Sequence, residues 1–210
     1  MSRDREILNS LELMDWGVVV RAMEDQSESG DRYLVKPWPG GVLLAVVDGL
    51  GHGGEAVVAA KMAVEAMSQF TEGSLISLVK HCHQVLAGTR GAVMTLTLFD
   101  ALEETMTWLG VGNVEGILMR ATPNVTPSRE SVLLRGGVVG YQLPVLRGSV
   151  IPVTRGDTLI LATDGVRTGF STALNLSQSP QKIADQILSQ YGKEIDDALV
   201  LVARYLGRAS

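Results

Sequence analysis

The chain has 210 residues, a formal net charge of −5 and an apolar fraction of 46%, which are ordinary values for a globular protein. Its charges form no basic stripe and no block of one sign, so nucleic-acid binding has little electrostatic support. No apolar run reaches the roughly 18 residues that a membrane helix needs, so we expect no membrane span. A length of this order predicts a single domain over residues 1–210.

Residues 1–16 lack the apolar core of a secretory signal. The single cysteine, Cys82, cannot form an internal disulfide, which fits a reducing compartment. Both features predict a cytoplasmic protein.

The first half of the chain predicts strands followed by helices. Strand patterns cover residues 15–21, 32–36 and 42–47, the last as a continuous apolar run that is typical of a buried strand. Apolar residues at helical spacing then predict helices over 55–70 and 74–86, with Ser74 as the N-cap of the second.

The second half is rich in strands separated by glycine and proline, as in an antiparallel meander. The predicted strands are 92–99, 105–109, 116–120, 131–134 and 157–162. A helix over 179–190, which ends before Gly192, and a strand over 198–203 complete the chain. This order predicts the α+β class, because strands and helices do not alternate regularly.

The turn in LAVVDGLGHGGEA (Leu44–Ala56) has two possible functions. Gly49, Gly51 and Gly54 spell the G-x-G-x-x-G fingerprint of dinucleotide-binding proteins. However, Asp48 directly before the first glycine would repel a pyrophosphate, and a second helix follows where the fingerprint expects a strand. The sequence therefore disfavours a nucleotide site and leaves Asp48 free to bind a metal ion.

Other acidic residues occupy similar positions. Asp31 lies in SGDRY, Asp164 ends the apolar strand of LILATDG, and Asp196 with Asp197 opens the last strand in EIDDALVLV. A single Asp-Gly pair is most simply an ordinary turn, but two pairs at strand ends, with two further acids, favour a shared site. Carboxylates without histidine or cysteine partners are ligands for Mg²⁺ or Mn²⁺.

Several blocks of the sequence resemble the metal-dependent PP2C-type (PPM) protein serine/threonine phosphatases, in family order. The chain is most similar to the bacterial branch that contains SpoIIE, RsbU and RsbX, and its length resembles the stand-alone RsbX type, which acts on phosphorylated stressosome components. The matching blocks are SGD, VVDGLGHGGEA, GTRGAVMTLTLFD, GVGNVEG, LRGGVVGY, DTLILATDGV and DDALVLV.

This resemblance implies an α+β fold, the PP2C-like β-sandwich flanked by α-helices, with two Mn²⁺ or Mg²⁺ ions between the sheets. Asp48 would bridge both ions and the Gly49 carbonyl would bind one of them, while Asp31 would reach the site directly or through water. Asp164 and Asp196 would hold the other ion, and Asp48 and Asp164 are the expected catalytic residues. Asp197 would support them.

The implied activity is removal of phosphate from phosphoserine or phosphothreonine by a metal-bridging hydroxide, without a protein nucleophile. The expected partners are phosphorylated stressosome scaffold or STAS-domain antagonist proteins, and the enzyme itself is expected as a monomer. The alternative is an inactive PPM-fold binding module. The presence of all four metal-site acids favours the enzyme.

Other candidate residues have simpler explanations. Arg21 could contact phosphate, and His52 could donate a proton, but a solvated arginine and a loop histidine are the more common cases. Cys82 lacks the C-x₅-R arginine of a tyrosine phosphatase. His81 and His83 point to different faces of a helix, which disfavours a zinc site.

Overall fold

The computed structural model describes residues 12–38, 40–71, 73–122, 125–172 and 174–207. In chain order its elements are β1 (Met14–Arg21), β2 (Asp31–Trp38), β3 (Gly41–Gly49), α1 (Gly54–Gln69), α2 (Leu75–Val85), β4 (Ala92–Asp100), β5 (Thr105–Val111), β6 (Glu115–Met119), β7 (Arg129–Ser131), β8 (Leu134–Arg135), β9 (Ser149–Pro152), β10 (Thr158–Ala162), α3 (Pro180–Tyr191) and β11 (Ala198–Tyr205). The absence of a secretory signal was predicted from residues 1–16, and most of these residues lie outside the described ranges.

The strands form two sheets that share no hydrogen-bonded strand pair. The first sheet has the order β1-β11-β10-β6-β7, with every neighbouring pair antiparallel. The second sheet has the order β2-β3-β4-β5-β8, and β9 also pairs with β5. Its strand pairs are antiparallel except for β5 and β8, which run parallel.

An apolar core lies between the sheets, and a further apolar layer covers the outer face of each. Alternate residues of β3 show this arrangement: Leu44 and Val46 belong to the core shared with β11, whereas Leu43 packs with α1 and α2. On β11, Leu201 belongs to the shared core and Val202 packs with α3. Burial on both faces explains why these strands are continuous apolar runs.

The helix starts follow capping rules. Ser74 caps α2, because its side chain accepts a hydrogen bond from the Ser77 amide at 3.2 Å, and the Ser74 amide in turn donates to the Ser77 hydroxyl at 2.9 Å. Ser179 caps α3, and Pro180 occupies the first helical position, where its missing N–H costs nothing. The predicted starts of both helices are confirmed.

The α+β sandwich flanked by helices is confirmed, but two strand predictions are wrong. Residues 131–134 do not form one strand: β7 belongs to the first sheet and β8 to the second, so the chain crosses between the sheets here. The sequence also gave no indication of β9. Because the chain crosses between the two sheets, the strands from β4 to β10 do not form one meander. No helix in the described ranges is long and apolar enough to cross a membrane.

Candidate active site

The predicted acidic residues gather at one end of the sandwich, and each sheet contributes some of them. Asp31 is the first residue of β2 and pairs in register with Asp48, the penultimate residue of β3. Asp164 lies two residues after β10, and Asp196 lies two residues before β11. The second sheet thus supplies one pair of carboxylates and the first sheet supplies the other.

Asp48, Asp164 and Asp196 line one cleft of about 590 Å³. Asp31 is only 1% exposed and, like Gly49, is not part of the cleft lining. The lining comprises Met23, Asp48, Leu50, Gly51, His52, Val93, Gly112, Asn113, Gly136, Asp164, Ile195 and Asp196. None of these residues is a serine, threonine, cysteine, lysine or arginine.

Thr163 links Asp31 to the first sheet. Its hydroxyl donates to Oδ2 of Asp31 at 2.7 Å and accepts from the Leu199 amide at 2.9 Å. The Asp31 amide in turn donates to Oγ of Ser29 at 3.0 Å. One buried hydroxyl therefore ties the start of β2 to β11 and fixes the Asp31 carboxylate between the sheets.

Two further side chains hold the remaining acids in place. Asp197 accepts hydrogen bonds on both carboxylate oxygens, from the Met23 amide at 2.7 Å and from the Gly30 amide at 2.6 Å. Asn113 donates from Nδ2 to Oδ2 of Asp164 at 2.8 Å. Asp197 thus fixes the backbone next to Asp196, and Asn113 orients the Asp164 carboxylate towards the cleft.

The glycines of both Asp-Gly pairs are required by close backbone contacts. A Cβ on Gly49 would lie 2.1 Å from the carbonyl oxygen of Ala56, and one on Gly165 would lie 1.8 Å from that of Asp197. Neither glycine has a positive φ. The structure requires these glycines because another backbone segment packs directly on each strand end.

Burial and the neighbouring carboxylates raise the pKa values of three of these carboxyls. Burial, followed by the charges of the neighbouring aspartates, raises the pKa of Asp48 to about 8. Burial also raises the pKa of Asp31 to about 7, although the hydrogen bond from Thr163 opposes this and the nearby aspartates add to it. The pKa of Asp196 is raised by burial and by Asp164. A bound cation would relieve this repulsion.

The donor set fits hard divalent cations, since it consists of carboxylates whose charge no cleft-lining lysine or arginine offsets. Among the described residues, no three histidine, cysteine, aspartate or glutamate side chains could hold a metal ion as they stand.

Of the other candidates, only His52 reaches the cleft, where it is exposed. Arg21 donates instead to the Lys193 carbonyl, so it is not placed to contact phosphate. Cys82 is buried within α2, which raises the pKa of its thiol to about 12 and excludes a reactive thiolate.

The zinc alternative fails as well, because the two histidines of α2 are engaged separately. Nδ1 of His83 accepts from the Gly140 amide at 2.9 Å. The His81 ring packs against Phe70, with ring centroids 5.8 Å apart.

The family model described as Stage II sporulation protein E (SpoIIE) matches residues 39–206, which is most of the chain. The chain belongs to the SpoIIE family. Its β-sandwich is the fold of PP2C-type phosphatases, and the protein is a PP2C-type serine/threonine phosphatase of the RsbX branch.

Individual relatives agree with the SpoIIE assignment. The phosphoserine phosphatase RsbX of Bacillus subtilis (strain 168) is 23% identical over 184 residues, covering 86% of this chain and 89% of its own. A crystal structure of RsbX in complex with magnesium superposes with a TM-score of 0.79 at 22% identity, covering 91% of this chain and 95% of that one.

A second solved chain is more similar in sequence. It is described under the words "The bacterial stressosome: a modular system that has been adapted to control secondary messenger signaling". It has a TM-score of 0.82 and 31% identity, and covers 91% of this chain and 99% of its own.

Membership of the SpoIIE family also answers the question raised by the glycine turn. β3, the turn and α1 do follow one another as in a nucleotide-binding unit, but α2 comes next and Asp48 faces the cleft. Sequence reasoning missed Thr163 and Asn113. Both lie inside the family blocks given above, and only Thr163, directly before Asp164, stands next to a predicted site acid in the sequence.

Proposed function

We propose that this SpoIIE-family protein removes phosphate from phosphoserine or phosphothreonine of stress-signalling proteins, specifically stressosome scaffold or STAS-domain antagonist proteins. The observation that carries the proposal is the convergence of Asp48, Asp164 and Asp196, from two different sheets, on one cleft. The substrate class is supported by RsbX, a phosphoserine phosphatase, and by the similar chain described with the bacterial stressosome.

In this proposal the site takes two Mn²⁺ or Mg²⁺ ions. Asp48 would serve both, with Asp31 and the Gly49 carbonyl on one side and Asp164 and Asp196 on the other. Such ions, when bound, lower the pKa of a coordinated water and offset negative charge on the phosphoryl group. Magnesium is supported by the RsbX structure that contains it.

Neighbouring residues of the chain then hold these carboxylates in position. Asn113 and the paired amides on Asp197 hold the carboxylates of the first sheet, while the hydroxyl of Thr163 holds Asp31. Because the cleft lining offers no serine, threonine, cysteine or lysine, a covalent route through those nucleophiles is not supported.

The first experiment measures release of p-nitrophenol from p-nitrophenyl phosphate in EDTA, Mg²⁺ or Mn²⁺. We expect metal-dependent turnover that falls by roughly a hundredfold or more in Asp48→Asn, because the carboxylate that would hold both ions, and with them the positive charge that stabilises the transition state, is lost. Asp185→Asn, an exposed aspartate on α3, is the matched control and should keep wild-type activity. A folded protein that shows no turnover with either metal would support the binding-module alternative instead.

The substrate class needs a separate comparison. We expect a phosphorylated STAS-domain protein to be dephosphorylated with a higher kcat/KM than an unrelated phosphopeptide. Equal values for the two would refute the proposed substrate while leaving the phosphatase activity intact.

A further inference from the structure

Two exposed apolar side chains lie in the same cleft as the acidic cluster. Ile195 is 82% exposed and Leu50 is 42% exposed, and both line the cleft with Asp48, Asp164 and Asp196. An isolated exposed leucine or isoleucine needs no explanation. Here, however, the turn after β3 and the loop before β11 each contribute one such residue directly beside a predicted metal ligand, since Leu50 follows Gly49 and Ile195 precedes Asp196.

The backbone that carries each side chain is held in place. The Leu50 amide donates to the Gly91 carbonyl at 3.0 Å, which ties the turn after β3 to the start of β4. On the other side, the Lys193 amide donates to the Gly165 carbonyl at 2.7 Å, and Arg21 donates to the Lys193 carbonyl. The Leu50 backbone is therefore anchored directly and the Ile195 loop is anchored two residues before it, which reduces the entropy cost of binding against them.

The charges of the cleft favour an apolar neighbour to the phosphate. Within the described residues the cleft lining contains no lysine or arginine, and three of its members are aspartates. Acidic residues next to the phosphorylated residue would find no cationic partner there. Apolar residues would bury surface against Leu50 and Ile195 without leaving any charge unpaired.

We propose that Leu50 and Ile195 bind the apolar side chains that flank the phosphorylated serine or threonine of the substrate protein. The cleft thereby selects phosphorylated segments with apolar neighbours. This inference rests on the proposed phosphatase activity and specifies which phosphorylated segments that activity takes.

The test uses two phosphopeptides that differ only in the residues on either side of the phosphoserine, leucine in one and asparagine in the other. For each enzyme, kcat/KM on each peptide is divided by kcat/KM on p-nitrophenyl phosphate, so that any general effect on the metal site cancels. We expect the wild type to prefer the leucine peptide by about tenfold, since burying much of one leucine side chain has this effect.

Four variants locate the preference. Ile195→Ser and Leu50→Ser should each lose most of it, while the conservative Ile195→Val should retain it. Leu102→Ser, at a residue that is 63% exposed but outside the cleft lining, should leave it unchanged.

Equal turnover of both peptides by the wild type, or a preference that survives both serine variants, would overturn the inference alone. A wild type that turns over neither the peptides nor p-nitrophenyl phosphate would instead overturn the phosphatase proposal, and this inference with it.

Discussion

Thr163 and Thr97 are both almost completely buried, but their hydroxyls differ in hydrogen bonding. Thr163 bonds to Asp31 and to the Leu199 amide, whereas the Thr97 hydroxyl makes no hydrogen bond with any described residue. Valine has nearly the same shape as threonine without the hydroxyl. The same substitution at the two positions should therefore change the free energy of unfolding in opposite directions.

The magnitudes follow from these contacts. Thr163→Val removes the bond to Asp31, worth about 1 kcal/mol, and leaves the buried Leu199 amide without this acceptor, which costs about 1–3 kcal/mol. We therefore expect the free energy of unfolding to fall by about 2–4 kcal/mol. Thr97→Val removes a buried hydroxyl that has no partner, so we expect a gain of about 1 kcal/mol.

Urea denaturation in EDTA at pH 7 measures both effects as shifts of the midpoint at constant m. By heating, a loss of 2 kcal/mol corresponds to a fall of about 4–8 °C in Tm for a chain of this size. Thr163→Ser keeps the hydroxyl and should retain most of the stability. If the two valine variants lost stability equally, the assigned roles of the two hydroxyls would be refuted.

Two further predictions concern the same end of the sandwich. The metal-free protein should lose stability as the pH rises from about 4 to about 8. The folded-state pKa values of Asp31 (about 7) and Asp48 (about 8) lie above the ordinary 3.8. The stability that these two carboxyls contribute is therefore complete below pH 3.8 and is lost as the pH passes through the raised values. Urea denaturation midpoints measured in EDTA at pH 5 and pH 8 check this prediction. Asp48→Asn should reduce the difference in stability between the two pH values. A wild type that is more stable at pH 8 than at pH 5 would contradict the prediction. Gly49→Ala should prevent correct packing, because its Cβ would lie 2.1 Å from the Ala56 carbonyl oxygen, whereas Gly54→Ala meets nothing within 4 Å and should be neutral or slightly stabilising. Circular dichroism and thermal melts of the two variants test this contrast, and equal behaviour would refute it.

The strands and helices with clear apolar patterns could be predicted from the sequence. The runs in β3 and β11 were visible because both faces of each strand are buried, and α2 and α3 have serine caps. β9 could not be found, because most of its side chains are exposed and no apolar alternation marks it. The division of residues 131–134 depends on where each short strand finds a partner, which a local pattern does not contain.

The acids of the site could be proposed because Asp48 and Asp164 lie at the ends of apolar strands, and Asp31 and Asp196 lie close to strand starts. That placement is local, and it remains a prediction that they bind metal. The role of Thr163 could not be inferred, since its partner Asp31 is 132 residues away in the chain. The raised pKa values of Asp31 and Asp48 likewise depend on packing of the two sheets, which brings five aspartates into one electrostatic environment.

The position of β11 has a consequence for how the protein is made. This strand is inserted between β1 and β10, so the first sheet stays split until residue 205 has been synthesised. Asp196 lies just before β11 and Leu199 lies within it. Neither reaches its place before β11 inserts. During translation the cleft therefore lacks Asp196, and the Thr163 hydroxyl lacks the Leu199 amide, until this segment has been synthesised.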